Sequence, residues 1–375
     1  MTKPRVVLLR GHNANPWDLR PWEQLTDRFD VGCLVTGSNR YDLSSLRLPI
    51  RRVRALRDLF PRGPAGDLAV KGPGDRYLGL AEALAGADIV HSAELGLWFS
   101  RGPALLKRRL GYRLVVTVWE TIPLRSTYRT ARGARYRAET LGEVDLYLAA
   151  TERARECLLL EDVPAGRIEV CPPGVDLERF SSGARDSARE QVVISPGRLV
   201  WEKGHQDVLR ALAALERGLV GEPQRARLLV VGAGPERGRL ERYAADLGLA
   251  DRVEFRSVPY ERMPEVFAEA SCMVLASLPI PLWEEQFGMV LAEAMAAGLP
   301  IIASASGAIP EVVARSGALF APGDWMGLAR ALAAGPLRRP SGAHARHDPE
   351  LVERYSSREA AERLAGFYER LLTSR

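Results

Sequence analysis

The chain has 375 residues, 46% of them hydrophobic and 26% charged, which is the composition of a globular protein with core enough for two or three domains. No apolar run reaches membrane-spanning length. The net charge of +5 comes without a recognised nucleic-acid motif or interleaved aromatics, so nucleic acid is not an indicated partner.

From the start of the chain, Pro4–Gly11 reads as a first strand and is too short for a signal peptide. The polar loop Gly11–Pro16 follows, then a helix carrying Trp17 and Trp22, whose indoles suit packing better than a sugar platform. Ile50–Phe60 places apolar residues at 50, 53, 56 and 60, a helical spacing, with Arg51, Arg52, Arg54 and Arg57 opposite. Such a helix is either a solvated arginine-rich face or a surface that lies on an anionic membrane. Residues 1–180 hold 28 Lys and Arg against 22 Asp and Glu, an excess that suits a surface meeting anions.

Asp88–His91, Leu114–Val118 and Val144–Ala149 are further strands. His91 ends the first of them, either facing a ligand or lying in the core. Glu120, just after the second, is either an acidic group acting on an acceptor hydroxyl or a salt-bridged loop carboxylate. Cys33, Cys157, Cys171 and Cys272 are isolated and read as buried reduced thiols, which fits a cytoplasmic protein.

Ser181–Ser187 is the best linker candidate. Beyond it, Val192–Ser195, Leu228–Val231, Val253–Phe255, Met273–Ala276 and Pro300–Ala303 are strands separated by helix-like segments. That alternation implies parallel sheets covered by helices on both faces, and two such units fit the length. Arg198 and Lys203 lie in the loop after Val192–Ser195, and loops at strand ends of parallel sheets are where ligands bind. A planar guanidinium and a point charge suit a diphosphate; the same two residues could equally be a surface salt-bridged pair. Lysine is scarce here, four among 52 basic residues. Gly232-Ala233-Gly234 lacks the third glycine of a dinucleotide fingerprint, because Arg237 occupies its position, and reads as a tight turn.

Glu285-Gln286-Phe287-Gly288-Met289-Val290-Leu291-Ala292-Glu293 is the most informative stretch. It reads as a loop, a glycine turn and a short buried helix closed by Gly298 and Pro300. Glu285 precedes the helix and Glu293 lies within it, among small residues that let a ligand approach. A buried glutamate needs partners, and ligand hydroxyls would supply them. The first N–H groups, at Gly288, Met289 and Val290, would face a phosphate. Residues 337–349 read as a Pro, Arg, His and Gly-rich loop, and 350–373 as one amphipathic helix.

Together with Pro172–Phe180, Val231–Pro235 and Gly307–Val313, these motifs resemble the retaining nucleotide-sugar glycosyltransferases of family 4, over nearly the whole chain. The resemblance implies an α/β GT-B fold: two Rossmann-like domains facing a central cleft. It also implies residues 1–180 as the acceptor-side domain, 181–349 as the nucleotide-sugar domain, and 350–375 as a helix returning to the first. It makes the protein a hexosyltransferase moving sugar from a nucleoside diphosphate to a glycan or lipid-linked hydroxyl, in the cytoplasm or at the inner membrane face. Arg198 and Lys203 would bind the diphosphate, Glu293 the ribose, and Glu285, Phe287, Gly288, Met289 and Val290 the sugar and phosphate. Gly11 would approach the diphosphate, His91 would face the cleft, and Ser257 or Val258 would approach the base. Trp119 stands where many relatives carry a sugar-contacting histidine. With no Asp-x-Asp in the chain, neither a metal nor a cofactor is expected. A sugar-nucleotide epimerase and a catalytically silent nucleotide-sugar binder are the alternatives on the same fold.

Overall fold

The computed structural model describes residues 2–61, 63–71, 75–125, 130–181 and 190–374. Most of the linker proposed at 181–187 lies outside the described residues. Contacts divide the chain into two compact units, Met1–Val175 with Tyr355–Arg375, and Asp176–Arg354.

The first unit is built on seven parallel strands: β1 (Arg5–Leu9), β2 (Asp30–Val35), β3 (Ile50–Arg52), β4 (Ile89–Ala93), β5 (Arg113–Val118), β6 (Leu146–Ala149) and β7 (Ile168–Val170). Their order is β3-β2-β1-β4-β5-β6-β7. The central strands are apolar throughout because helices cover both faces. Val7, Leu9, Val90 and Val116 join one core and Val6, Leu8, Ile89 and Val115 the other. The order reverses between β1 and β4, so the loops after those two strands part and leave a crevice at their C-terminal ends.

Ile50–Phe60 is not a helix, which corrects the spacing argument. Ile50 pairs with Cys33 as the edge strand β3, and only Leu56–Leu59 forms a single 3-10 turn. Arg57 is drawn inward, bonding the Asp67 carboxylate at 2.8 Å and the carbonyls of Phe60, Pro61 and Gly63. The cationic helix face that suggested a membrane contact is therefore absent. No helix among the described residues is long and apolar enough to cross a membrane.

Residues 350–373 form two helices, Pro349–Arg354 and Ser357–Thr373. The break has a local cause: Val175 donates to the Tyr355 carbonyl at 2.7 Å and accepts from the Ser357 N–H at 2.8 Å. Ser356 then caps the second helix through the Glu359 N–H. That helix packs on Pro16–Glu23, which is capped by Asn15 and has proline in its first turn. Between them Trp22 Nε1 donates to Tyr368 Oη at 2.8 Å, so Trp22 is a packing residue.

The second unit has six parallel strands: β8 (Val192–Pro196), β9 (Arg227–Val231), β10 (Val253–Arg256), β11 (Cys272–Leu275), β12 (Ile301–Ser304) and β13 (Ala318–Phe320). Their order is β10-β9-β8-β11-β12-β13, with the reversal between β8 and β11. Gly232-Ala233-Gly234 is a tight turn after β9, packed on the backbone of Gly197 and Leu199.

Tyr368 Oη accepts from Trp22 and also lies 2.5 Å from His91 Nδ1. Tyr368→Phe would leave both partners without that oxygen. It is expected to cost about 1–3 kcal/mol, measured by denaturant unfolding; a loss under about 0.5 kcal/mol would show the network to be dispensable.

Candidate active site

In the second unit the site forms where the loops after β8 and β11 part. Lys203 Nζ lies 2.6 Å from Glu285 Oε2, and Ser277 Oγ donates to the same oxygen at 2.6 Å. The ammonium also stands 4.9 Å from the centre of the Trp283 ring. Both partners of the ion pair are largely shielded from water. Arg198 is different: its side chain is 64% exposed and only loosely paired, 3.7 Å from Glu202.

Two glycines are required by close backbone approach. A Cβ on Gly204, at φ +68°, would sit 1.8 Å from the Ala276 carbonyl; one on Gly307, at φ +55°, would sit 2.1 Å from that of Glu285. The loop carrying Arg198 is fixed from beneath by His205. Its Nδ1 accepts from Ser195 Oγ at 2.8 Å and its Nε2 donates to the Arg198 carbonyl at 3.1 Å. Burial lowers its pKa to about 4, so the strut is neutral.

The helix Met289–Ala296 begins after Gly288, which has left-handed geometry. Leu291 in its first turn donates to the Gly288 carbonyl at 2.8 Å, whereas the Met289 and Val290 N–H groups have no intrahelical acceptor by position and lie at the positive end of the helix dipole. Glu293, one turn further on, is buried and accepts from Tyr260 Oη at 2.9 Å. Burial pushes its pKa up to about 7. Phe287 is 1% exposed, so its side chain belongs to the core and only its backbone is near the turn. Ser257 is exposed and Val258 half-buried in the loop after β10. Tyr260 follows in the same loop and was missed from the sequence, since its contact with Glu293 spans 33 positions.

At the β1/β4 crevice of the first unit, several sequence candidates prove to be internally satisfied. His91 is fully buried. Its Nδ1 is 2.5 Å from Tyr368 Oη and its Nε2 2.7 Å from Thr117 Oγ1, and burial holds its pKa well below the ordinary value. It is a core histidine, the second of the two readings, and does not face a ligand. The Gly11 N–H donates to Tyr77 Oη at 3.1 Å and is not free for a phosphate. Glu120 accepts from the Thr121 and Ile122 N–H groups and pairs with Arg125 at 2.6 Å. It is the salt-bridged loop carboxylate, not an available base.

Glu94 was passed over. It follows β4 with φ +62°, accepts from the Trp119 N–H at 2.9 Å, and its pKa is raised to about 8 by burial. The loops after β1 and β2 also frame a cavity of about 400 Å³ lined by His12, Asn39, Arg40, Asp67, Asp75 and Trp98. His12 stacks on Trp98, and Asn39 Oδ1 is buried without a hydrogen-bond partner. Among the described residues no group of three or more His, Cys, Asp or Glu is placed to hold a metal ion.

The glycosyl transferases group 1 family model matches residues 178–334, and that of glycosyltransferase family 4 matches residues 23–179. The chain belongs to this glycosyltransferase family. A GDP-mannose-dependent alpha-(1-6)-phosphatidylinositol monomannoside mannosyltransferase of Mycolicibacterium smegmatis is 33% identical over 58% of this chain and 60% of its own length. A D-inositol 3-phosphate glycosyltransferase of Nocardia farcinica is 36% identical over 48% of this chain and 42% of its own. The chain thus spans about half the length of the curated relatives it matches. Among solved structures, Anabaena Alr3699/HepE in complex with UDP superposes with a TM-score of 0.74 at 17% identity, covering 98% of this chain and 99% of that one. At that identity the likeness establishes the GT-B fold alone.

In this member of the family the buried Glu293 carboxyl makes stability pH-dependent. In the unfolded chain it ionises above its ordinary value of 4.5, whereas in the fold it stays protonated to about pH 7. The folded state therefore binds more protons across that window, and stability falls as pH rises through it. Glu293→Gln, which keeps an acceptor for Tyr260, is expected to match the parent at pH 4 and exceed it at pH 8 in denaturant unfolding. A constant difference across that range would contradict the assignment.

Proposed function

We propose that this protein transfers a sugar from a nucleoside diphosphate to a hydroxyl of a glycan or lipid-linked acceptor, with retention of anomeric configuration and without a metal. The observation that carries the reading is the Lys203–Glu285 pair, held at the strand reversal of the second unit beside a helix N-terminus. The printed names of two relatives, one GDP-mannose-dependent and both inositol-related, support a nucleotide-sugar donor and a phosphorylated or lipid-linked acceptor.

In this reading the anomeric carbon–oxygen bond to the diphosphate breaks and a new bond to the acceptor oxygen forms on the same face. Lys203, Arg198 and the first N–H groups of Met289–Ala296 neutralise the charge that develops on the departing diphosphate. Those cations and dipoles take the part that an Asp-x-Asp-bound metal would otherwise play. Glu293 holds the ribose hydroxyls, and Glu285, kept in place by Lys203 and Ser277, meets the sugar. Ser257 or Val258 would meet the base through the backbone. With Glu120 committed to Arg125, the acceptor proton passes to an oxygen of the leaving phosphate. The cavity beside Trp98 supplies an aromatic ring and the carboxylates of Asp67 and Asp75 for a polyhydroxylated acceptor.

Arg198 and Lys203 call for different tests. Lys203→Ala would strand the buried Glu285 carboxylate and cost about 3–5 kcal/mol of stability, mixing folding with chemistry. Arg198→Ala removes an exposed group, so its unfolding midpoint should match the parent. Its turnover with a nucleotide-sugar donor should fall on the order of 100- to 1000-fold, and parent turnover should persist in EDTA. Kinetics of Arg198→Ala within threefold of the parent, or loss of parent activity in chelator with rescue by manganese, would reject the reading.

A further inference from the structure

The second unit carries a second cavity at the opposite edge of its sheet. It lies at the N-terminal ends of β12 and β13, whereas Lys203, Glu285 and Glu293 follow the C-terminal ends of β8 and β11. Its volume is about 580 Å³, and it is lined by Arg315, Arg339, Arg346, His344 and His347 without any Asp or Glu among the described residues. Several arginines of this unit are paired with carboxylates, as Arg210 is with Asp207 and Arg256 with Glu269. Arg315, Arg339 and Arg346 have no ion pair among the described residues.

The wall is fixed before any ligand arrives. The Ala345 N–H donates to the Gly298 carbonyl at 2.8 Å, and His347 Nε2 donates to the Leu299 carbonyl at 2.9 Å. At the other side Gln191 Nε2 donates to the Arg339 carbonyl at 2.6 Å. Nor are these cations needed to neutralise the C-terminal end of the helix Trp325–Ala334, because Arg338 already donates to the Ala333 carbonyl at 3.1 Å. A concave surface of one sign, with walls held in place, focuses potential on anions. Guanidinium groups match phosphate oxygens in geometry as well as charge, and the volume is that of a small-molecule pocket.

We propose that this cavity is a second anion site, separate from the donor site, that binds a phosphorylated small molecule through Arg315, Arg339 and Arg346. The test is isothermal titration of inorganic pyrophosphate into the full chain, the variant R315Q/R339Q/R346Q, and Arg198→Ala. The parent should show saturable binding with Kd below about 1 mM that weakens with added salt. The triple variant should lose this event, its affinity there falling at least about 100-fold, and should keep only an event that Arg198→Ala weakens; its unfolding midpoint should match the parent, since exposed arginines contribute little to stability. Arg198→Ala should retain the event. Pyrophosphate binding unchanged in the triple variant would overturn the proposal, as would its absence from the parent. Sedimentation of the parent, but not the triple variant, with phosphatidylglycerol vesicles, without pyrophosphate binding, would also overturn it, in favour of a lipid surface.

Discussion

The second unit depends on a buried ion pair that bridges its two central loops. Removing Lys203 and Glu285 from water is costly, and such a pair is retained only when its remaining hydrogen-bonding capacity is met. Here Ser277 takes the second bond to Glu285 Oε2, Trp283 faces the ammonium, and the Glu285 carbonyl accepts from the Ala308 N–H at 2.8 Å. A further bond from the Leu278 N–H to the Glu202 carbonyl ties the same loops together. The requirement for glycine at 204 and 307 follows, since both loops approach backbone that the pair holds in place. Charge fixed in advance in a poorly hydrated setting is the arrangement that stabilises a developing anion without reorganisation.

The first unit spends its polar groups differently. His91, Gly11 and Glu120 all sit at strand ends, where ligands bind in such sheets, yet each is consumed by a neighbour: Tyr368, Tyr77 and Arg125. What remains at the cavity is peripheral to the strand ends: the Arg40 guanidinium, on the loop after β2, and the Trp98 ring, which opens the helix Trp98–Leu110 beyond the loop after β4. Loops tolerate variation that strand ends do not, so a recognition pocket built there leaves the sheet untouched.

This division explains what was legible in the sequence. The placement of Arg198, Lys203, Glu285 and Glu293 was readable because they lie in short local motifs, whose spacing alone puts them on a loop and a helix. Tyr260 was not, because its bond to Glu293 depends on how β10 is stacked in the sheet. Ile50–Phe60 misled for a related reason. Its apolar spacing fits a helix, but pairing with β2 is a non-local gain that periodicity cannot register, and Arg57 finds four acceptors only after Pro61, Gly63 and Asp67 fold back. The helix at 350–373 was legible in length but not in its break, which is imposed by Val175 some 180 positions earlier.

The two buried histidines show one device used twice. His91 in the first unit and His205 in the second each have both ring nitrogens engaged and a pKa depressed by burial. An imidazole is suited to this because one nitrogen donates while the other accepts, so it joins two groups that need opposite partners. Neutrality matters most at His205. A charged ring there would place a second cation near Lys203, and would leave the Nδ1 proton facing a Ser195 hydroxyl that had been its donor. Burial removes that possibility at physiological pH, so the loop bearing Arg198 is braced without altering the charge that the site presents.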